Sequence, residues 1–273
     1  MNDDIAYASA HALQSRYREG TLSPVEVTAS LIARARVLAA GLNATTLIDE
    51  AHALRRAEES AARYLAGTAR PLEGVPVAIK EETSVAGWPR TIGSWLHDER
   101  PTAHHPVVER LLDAGAVPHL QTTVPEFCVI GQTHSARYGV SRNPWNRAVT
   151  PGGSSGGAGA VLAAGLTPLA TGSDMGGSIR IPAAMNGVYG YKPPFGRLAA
   201  TPGEELFAFA VEGPMARTLE DLRLMQNVMQ GPHPASYTGM PAEPLPEHPQ
   251  DLRGMRLALT LPKDGGEIGR AHV

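Results

Sequence analysis

The chain has 273 residues, enough for one large α/β domain or two small ones, and its 42% hydrophobic and 19% charged residues are the proportions of a folded protein, not a disordered one. Lysine and arginine number 24 against 27 acids, a net charge of −3, so no basic surplus exists to neutralise a phosphate backbone and nucleic acid is excluded as an expected partner. A single cysteine, Cys128, excludes an internal disulfide framework and a metal site built from cysteines alone.

The N-terminus, MNDDIAYASAHALQ, carries two acids where a signal peptide carries basic residues. No apolar run approaches the roughly 18 residues needed to span a bilayer, so a cytoplasmic location without membrane contact is expected. Ser23-Pro24-Val25-Glu26 predicts a helix start, with Ser23 as N-cap, Pro24 at the first helical position and Glu26 closing a capping box. That helix is expected to run to Ala40, before Gly41. A second helical spacing covers Glu50 to Leu65, with Leu54, Ala57 and Ala61 on one face. GVPVAIK, Gly74 to Lys80, reads as a short buried strand that ends, unusually, in a lysine. Pro106 to Ala114 predicts a helix, Ala116 to Leu120 a strand, and Gly156 to Ala164 a helix of small residues. Strand and helix alternate, which predicts an α/β layered architecture with a largely parallel or mixed sheet. The stretch from Pro232 to Pro249 is Pro-rich and loop-like, and Met255 to Leu261 predicts a last strand.

Between Pro151 and Arg180 the chain reads PGGSSGGAGAVLAAGLTPLATGSDMGGSIR, placing serines in two glycine-rich turns. Glycine at that density suits turns that need positive φ or a ligand atom close to the backbone. Three explanations compete for such turns: a nucleophile elbow, a phosphate cradle and a plain structural turn. GGSSGG satisfies G-x-S-x-G, but NPWNRAVTP precedes it instead of a strand, and the later histidines (His233, His248 and His272) fall in Pro-rich sequence or in the last residues. Neither turn continues into the G-K-[ST] of a P-loop, and no G-x-G-x-x-G occurs.

Lys80 changes the weighing. Burial lowers a lysine's pKa, and a lysine near its ordinary value of about 10.4 is neutral only about one part in a thousand at neutral pH. A desolvated Lys80 is therefore expected to serve as a base. GSDMGGS would then offer a serine nucleophile beside unhindered N–H groups around Gly176 and Gly177.

At this point the residues resemble the amidase signature family, serine hydrolases with a Ser, cis-Ser, Lys triad. The resemblance spans most of the chain, through LNATTLID, GVPVAIKEETSVAGWPRTIGS, DAGAVPHLQTTVPEF, YGVSRNPWN, the serine stretch, IPAAMNGVYGYKPPFGRL and GPMARTLEDL, in family order. It implies a mixed β-sheet core flanked by helices, truncated at the C-terminus. It also implies Ser178 as nucleophile, Lys80 as general base, and Ser154, 24 positions before Ser178 and preceded by a cis peptide bond, as proton relay. Backbone N–H groups of Met175, Gly176 and Gly177 would hold the oxyanion. Asp174 and Arg180 would tie the loop in place, and Ser155 would hydrogen-bond the triad.

The implied activity is hydrolysis of a carbon–nitrogen amide bond through a serine acyl-enzyme, with no cofactor and no metal. Its partner would be a small-molecule amide, with a homo-oligomer allowed. One alternative is the glutaminase A subunit of a glutamyl-tRNA(Gln)/aspartyl-tRNA(Asn) amidotransferase, which would need partner subunits. Another is an inactive truncated fragment or scaffold. Glu81-Glu82 stands where the family more often has Asp-Asn, and Pro194 where threonine is common; neither is expected to touch the triad. Cys128 is expected to be packed inside, His104-His105 not to form a metal site, and Trp88, Trp95 and Trp145 to be packing or loop anchors. The last seven residues, EIGRAHV, back-translate to GAG ATC GGA AGA GCA CAC GTC, a common sequencing-adapter oligonucleotide. The expected organisation is thus residues 1–266 as an incomplete amidase signature domain and residues 267–273 as adapter translation.

Overall fold

The computed structural model describes residues 3–247, 253, 254 and 256. The expected tail at 267–273 lies outside these residues, as does the expected strand Met255 to Leu261 apart from Arg256.

In chain order the helices are α1 (Asp3–Ala6), α2 (Ala10–Arg18), α3 (Pro24–Leu42), α4 (Glu50–Leu65), α5 (Pro106–Asp113), α6 (Gly156–Ala163), α7 (Arg180–Asn186) and α8 (Leu219–Met229). The strands are β1 (Thr45–Ile48), β2 (Pro76–Lys80), β3 (Val117–Thr122), β4 (His134–Ser135), β5 (Gly139–Val140), β6 (Leu169–Asp174), β7 (Tyr189–Gly190) and β8 (Val211–Ala216). Ser23 caps α3 by accepting from Val25 N–H at 3.2 Å, and no return bond from Glu26 is found among the described residues. The helix runs two residues beyond the expected Ala40, because Asn43 takes the left-handed conformation (φ 47°) that ends it.

A six-stranded mixed sheet, ordered β1-β3-β2-β6-β8-β7, forms the centre. β2 runs parallel to β3 and β6, whereas β1 and β8 are antiparallel to β3 and β6. Helices cover both faces. Val77, Ile79, Leu169 and Ala216 pack with α5 and α8 on one side, and Ala78, Leu120, Ala170 and Met215 pack with α3 and α6 on the other. Each fully buried Val, Leu or Ile contributes about 1.5–3 kcal/mol in such a core. Side chains alternate along a strand, so Lys80 continues the parity of Ala78 and faces the α6 side. β2, β3 and β6 end at Lys80, Thr122 and Asp174, on one rim of the sheet. The carboxyl ends of parallel strands are where open α/β sheets receive ligands.

Candidate active site

The turn before α6 brings Ser154 to the end of β2. Glycines make that approach possible: a Cβ on Gly157, in the first turn of α6, would lie 2.5 Å from Thr123 N, so only glycine lets the helix sit this close to the chain after β3. The Gly153–Ser154 peptide bond is cis. Lys80 is fully buried, and its ammonium donates to Ser154 Oγ at 2.8 Å and to Ser173 Oγ at 2.7 Å. Ser155 lies in the same turn and joins it to the second serine turn. Its N–H donates to the Ser178 carbonyl at 3.1 Å, and its hydroxyl to the Ser173 carbonyl at 3.3 Å.

Asp174 ends β6, is fully buried and organises the second turn. It accepts from Gly177 N–H at 2.8 Å, Ile179 N–H at 3.1 Å and Arg180 N–H at 3.3 Å, and it pairs with the Arg180 guanidinium at 2.9 and 3.0 Å. Burial pushes this carboxyl up, but Arg180 and the backbone donors outweigh burial and hold it below its ordinary value. The Gly177 N–H is thereby committed to Asp174, which departs from its expected part in an oxyanion hole. Met175 and Gly176 are exposed at the tip of the turn. Ser154, Ser178, Met175 and Gly176 line one cavity of about 620 Å³, walled on its apolar side by Ile92, Phe127, Ile130, Ile181, Phe195 and Leu198.

Three features differ from expectation. First, Glu82 touches Lys80 of the expected triad: its carboxylate lies 3.0 Å from Lys80 Nζ and accepts from Ser173 Oγ. Second, burial does not leave Lys80 neutral. Burial alone pulls the ammonium's pKa down, but Glu82, with Cys128 and Glu212 beyond it, raises it above the ordinary lysine value. Burial likewise pushes Glu82 up while Lys80 pulls it down, and the carboxyl ends below its usual range. Third, Cys128 is not simply packed away. It lines the cavity against the Glu82 carboxylate and the Ser154 hydroxyl, on a segment where Phe127 and Cys128 both have positive φ (51° and 58°). Burial, then the Glu82 charge, raises the thiol well above its ordinary pKa, so it is poorly suited to act as a nucleophile.

Sequence reasoning also passed over Ser173, although it stands beside Asp174 in the quoted motif, and Glu212, which faces it across the β6–β8 pair. Glu81 faces away from this cluster and binds Thr91 through both its N–H and its hydroxyl at 2.5 Å. His104 and His105 diverge: His104 accepts from Ala86 N–H, whereas His105 caps α5 and pairs with Glu204 at 3.0 Å. Among the described residues no group of three potential ligands is arranged to hold a metal ion, and no helix is long and apolar enough to cross a membrane. Trp88 is buried with its indole N–H on Asp49, and Trp145 anchors its loop to the Asn186 carbonyl. Trp95 is exposed beneath the Arg137 guanidinium.

The sequence model of the family described as Amidase matches residues 26–264. The chain belongs to the amidase signature family. This amidase signature chain is 38% identical over 263 residues to the A subunit of glutamyl-tRNA(Gln) amidotransferase from Deinococcus deserti, an alignment covering 94% of the chain and 53% of that protein. It superposes on a bacterial aryl acylamidase of the amidase signature family with a TM-score of 0.81 at 31% identity, covering 86% of this chain and 50% of that one. A peptide amidase from Stenotrophomonas maltophilia gives 0.80 at 30% identity, with 86% and 51% covered. The chain spans about half the length of the curated relatives it matches. The mixed sheet between helices is the expected fold class, shared with these structures.

Proposed function

We propose that the chain carries the nucleophile, relay and base of an amide hydrolase. The observation that supports this most is the buried Lys80–Ser154 hydrogen bond of 2.8 Å on the floor of a cavity that Ser178 also lines. In this reading Ser178 Oγ attacks the amide carbonyl carbon, and its proton passes to Ser154 as the Ser154 proton passes to neutral Lys80. The N–H groups of Met175 and Gly176 face the developing oxyanion. The C–N bond breaks as the relay runs backwards and protonates the departing nitrogen, and water then hydrolyses the Ser178 ester. Asp174, Arg180 and Ser155 keep the two turns in register.

The test is S178A in the full chain. Hydrolysis of a neutral arylamide is expected to fall by on the order of 10³-fold or more with the unfolding curve unchanged. A fluorophosphonate probe is expected to label the wild type and not the variant. Undiminished turnover in S178A, or labelling at another residue, rejects the assignment, and failure to label folded wild type favours a scaffold.

A second reading, the glutaminase component of an amidotransferase, is favoured by the 38% identity to the A subunit of glutamyl-tRNA(Gln) amidotransferase. Ammonia release from L-glutamine with no arylamide hydrolysis supports it over the first.

A further inference from the structure

Lys80 has three neighbours within hydrogen-bonding reach: Ser154 Oγ at 2.8 Å, Ser173 Oγ at 2.7 Å and Glu82 Oε1 at 3.0 Å. An ammonium has three donors and no acceptor, so these neighbours use all of its hydrogens. A lysine that takes a proton from Ser154 needs a lone pair directed at the same hydroxyl. The resting arrangement and the reactive one therefore differ by one proton on Nζ. What keeps that proton in place is the carboxylate two residues along. β2 ends in a tight turn in which Thr83 N–H donates to the Lys80 carbonyl at 2.9 Å, and this curls Glu82 back over the lysine it follows. Arg90 clasps the turn from outside, its Nε on the Glu82 carbonyl at 2.6 Å.

We propose that Glu82 is a positioning residue that holds the Lys80 ammonium between Ser154 and Ser173 and so sets the pH at which this lysine can accept a proton. The consequence for turnover rests on the hydrolase reading above; the control of Lys80 does not. The charged and titratable groups facing Nζ are Glu82 from its own turn, Cys128 from the segment after β3 and Glu212 from β8. The His105–Glu204 pair stands behind Glu212. Of these, only Glu82 is in direct contact with Nζ, and burial alone acts in the opposite direction. As pH rises through the Lys80 value, Nζ releases one proton to solvent, its lone pair turns to the Ser154 hydroxyl, and the relay becomes competent.

The composition makes this directly measurable, since the chain has three lysines: Lys80, Lys192 and Lys263. Protein labelled with ¹³C-lysine gives one Cε signal for each, assigned with K192R and K263R. In the wild type, Lys80 is expected to keep its proton above the ordinary lysine value of about 10.4. E82Q is expected to lower its midpoint by about one unit or more, and E82D to preserve it. The acid limb of kcat/KM is expected to move to lower pH in E82Q by the same amount, which a merely structural role for Glu82 would not produce.

A wild-type Lys80 that titrates at or below the ordinary lysine value of about 10.4 overturns the proposal without any variant, as does an unchanged midpoint in folded E82Q. If the midpoint falls in E82Q while S178A keeps full turnover, Glu82 controls the lysine and the hydrolase reading fails. If S178A is dead and the E82Q midpoint stays, only the role of Glu82 fails.

Discussion

Asp174 gathers three backbone N–H groups and one guanidinium around a buried carboxylate at the end of β6. Removing it leaves the donors of Gly177 and Ile179 without their partner, at about 1–3 kcal/mol for each buried group. Arg180 is more than half exposed and regains water, so its loss adds little. D174A is therefore expected to lower unfolding stability by about 2–6 kcal/mol in urea at pH 7 and to reduce turnover with it. Its folded pKa is depressed, so this contribution is full above the ordinary carboxylate range and disappears as pH falls through the lowered value. Equal stability of D174A and wild type at pH 7 contradicts this account.

At this scale motif spacing singled out Lys80, Ser154 and Ser178; in the structure Lys80 bonds Ser154, and Ser154 and Ser178 line one cavity. Sequence reasoning misplaced Glu82, expected to stay clear of the triad, which lies 3.0 Å from Lys80 Nζ. That residue's contact with Lys80 depends on how tightly the chain turns after β2, a property of Thr83 N–H meeting the Lys80 carbonyl and not of residue type. Cys128 was read as packed inside and not as a nucleophile; its place against Glu82 and Ser154 was not foreseen, because an apolar flank gives no sign of the positive φ at Phe127 and Cys128.

Among the elements, α6 shows how packing overrides propensity. Replacing a helical glycine by alanine ordinarily gains about 1 kcal/mol. At Gly157 the new Cβ would meet Thr123 N at 2.5 Å and Thr123 O at 2.6 Å, both of them backbone atoms that cannot rotate away. Overpacking costs about 1–3 kcal/mol, so G157A is expected to be net destabilising by up to about 2 kcal/mol. Because the N-terminus of α6 carries Ser154 and Ser155, activity should fall further than stability alone explains. A G157A protein as stable and active as wild type would show that the helix can withdraw from β3 at no cost.

The long helix α3 was readable from its Ser23 cap and α4 from its spacing, whereas the Asp49 cap of α4, which accepts from His52 N–H, was not singled out. β6 was not read as a strand. LATGSD is half polar and carries a glycine, and its extended form is imposed by β2 and β8 pairing on either side. The two-residue strands β4, β5 and β7 are too short to leave a periodic signal.

For the molecule as a whole, buried carboxylates make stability depend on pH. Burial, reinforced by the Glu82 charge, pushes Glu212 up to about 7. Thr83 donates to one of its oxygens at 3.1 Å, and the other is buried without a partner. An acid whose folded pKa is raised contributes fully below its unfolded value, near 4.5, and loses that contribution as pH rises through the folded one. E212Q, which never ionises, is therefore expected to gain stability relative to wild type between pH 5 and pH 8, read as a widening gap between their urea midpoints. A constant gap means that Glu212 is solvated well enough to ionise normally.

Lys80 stands at the end of β2, Ser154 ahead of α6 and Ser178 just past β6, so no single segment of chain holds the three together. The pairing of β2 with β6, the Lys80–Ser154 hydrogen bond and the bond from Ser155 N–H to the Ser178 carbonyl hold them within reach of one another. On the proposed hydrolase reading, reactivity at Ser178 would accordingly be a cooperative property, reporting the integrity of the central sheet, with no residual fraction left to a partly unravelled molecule.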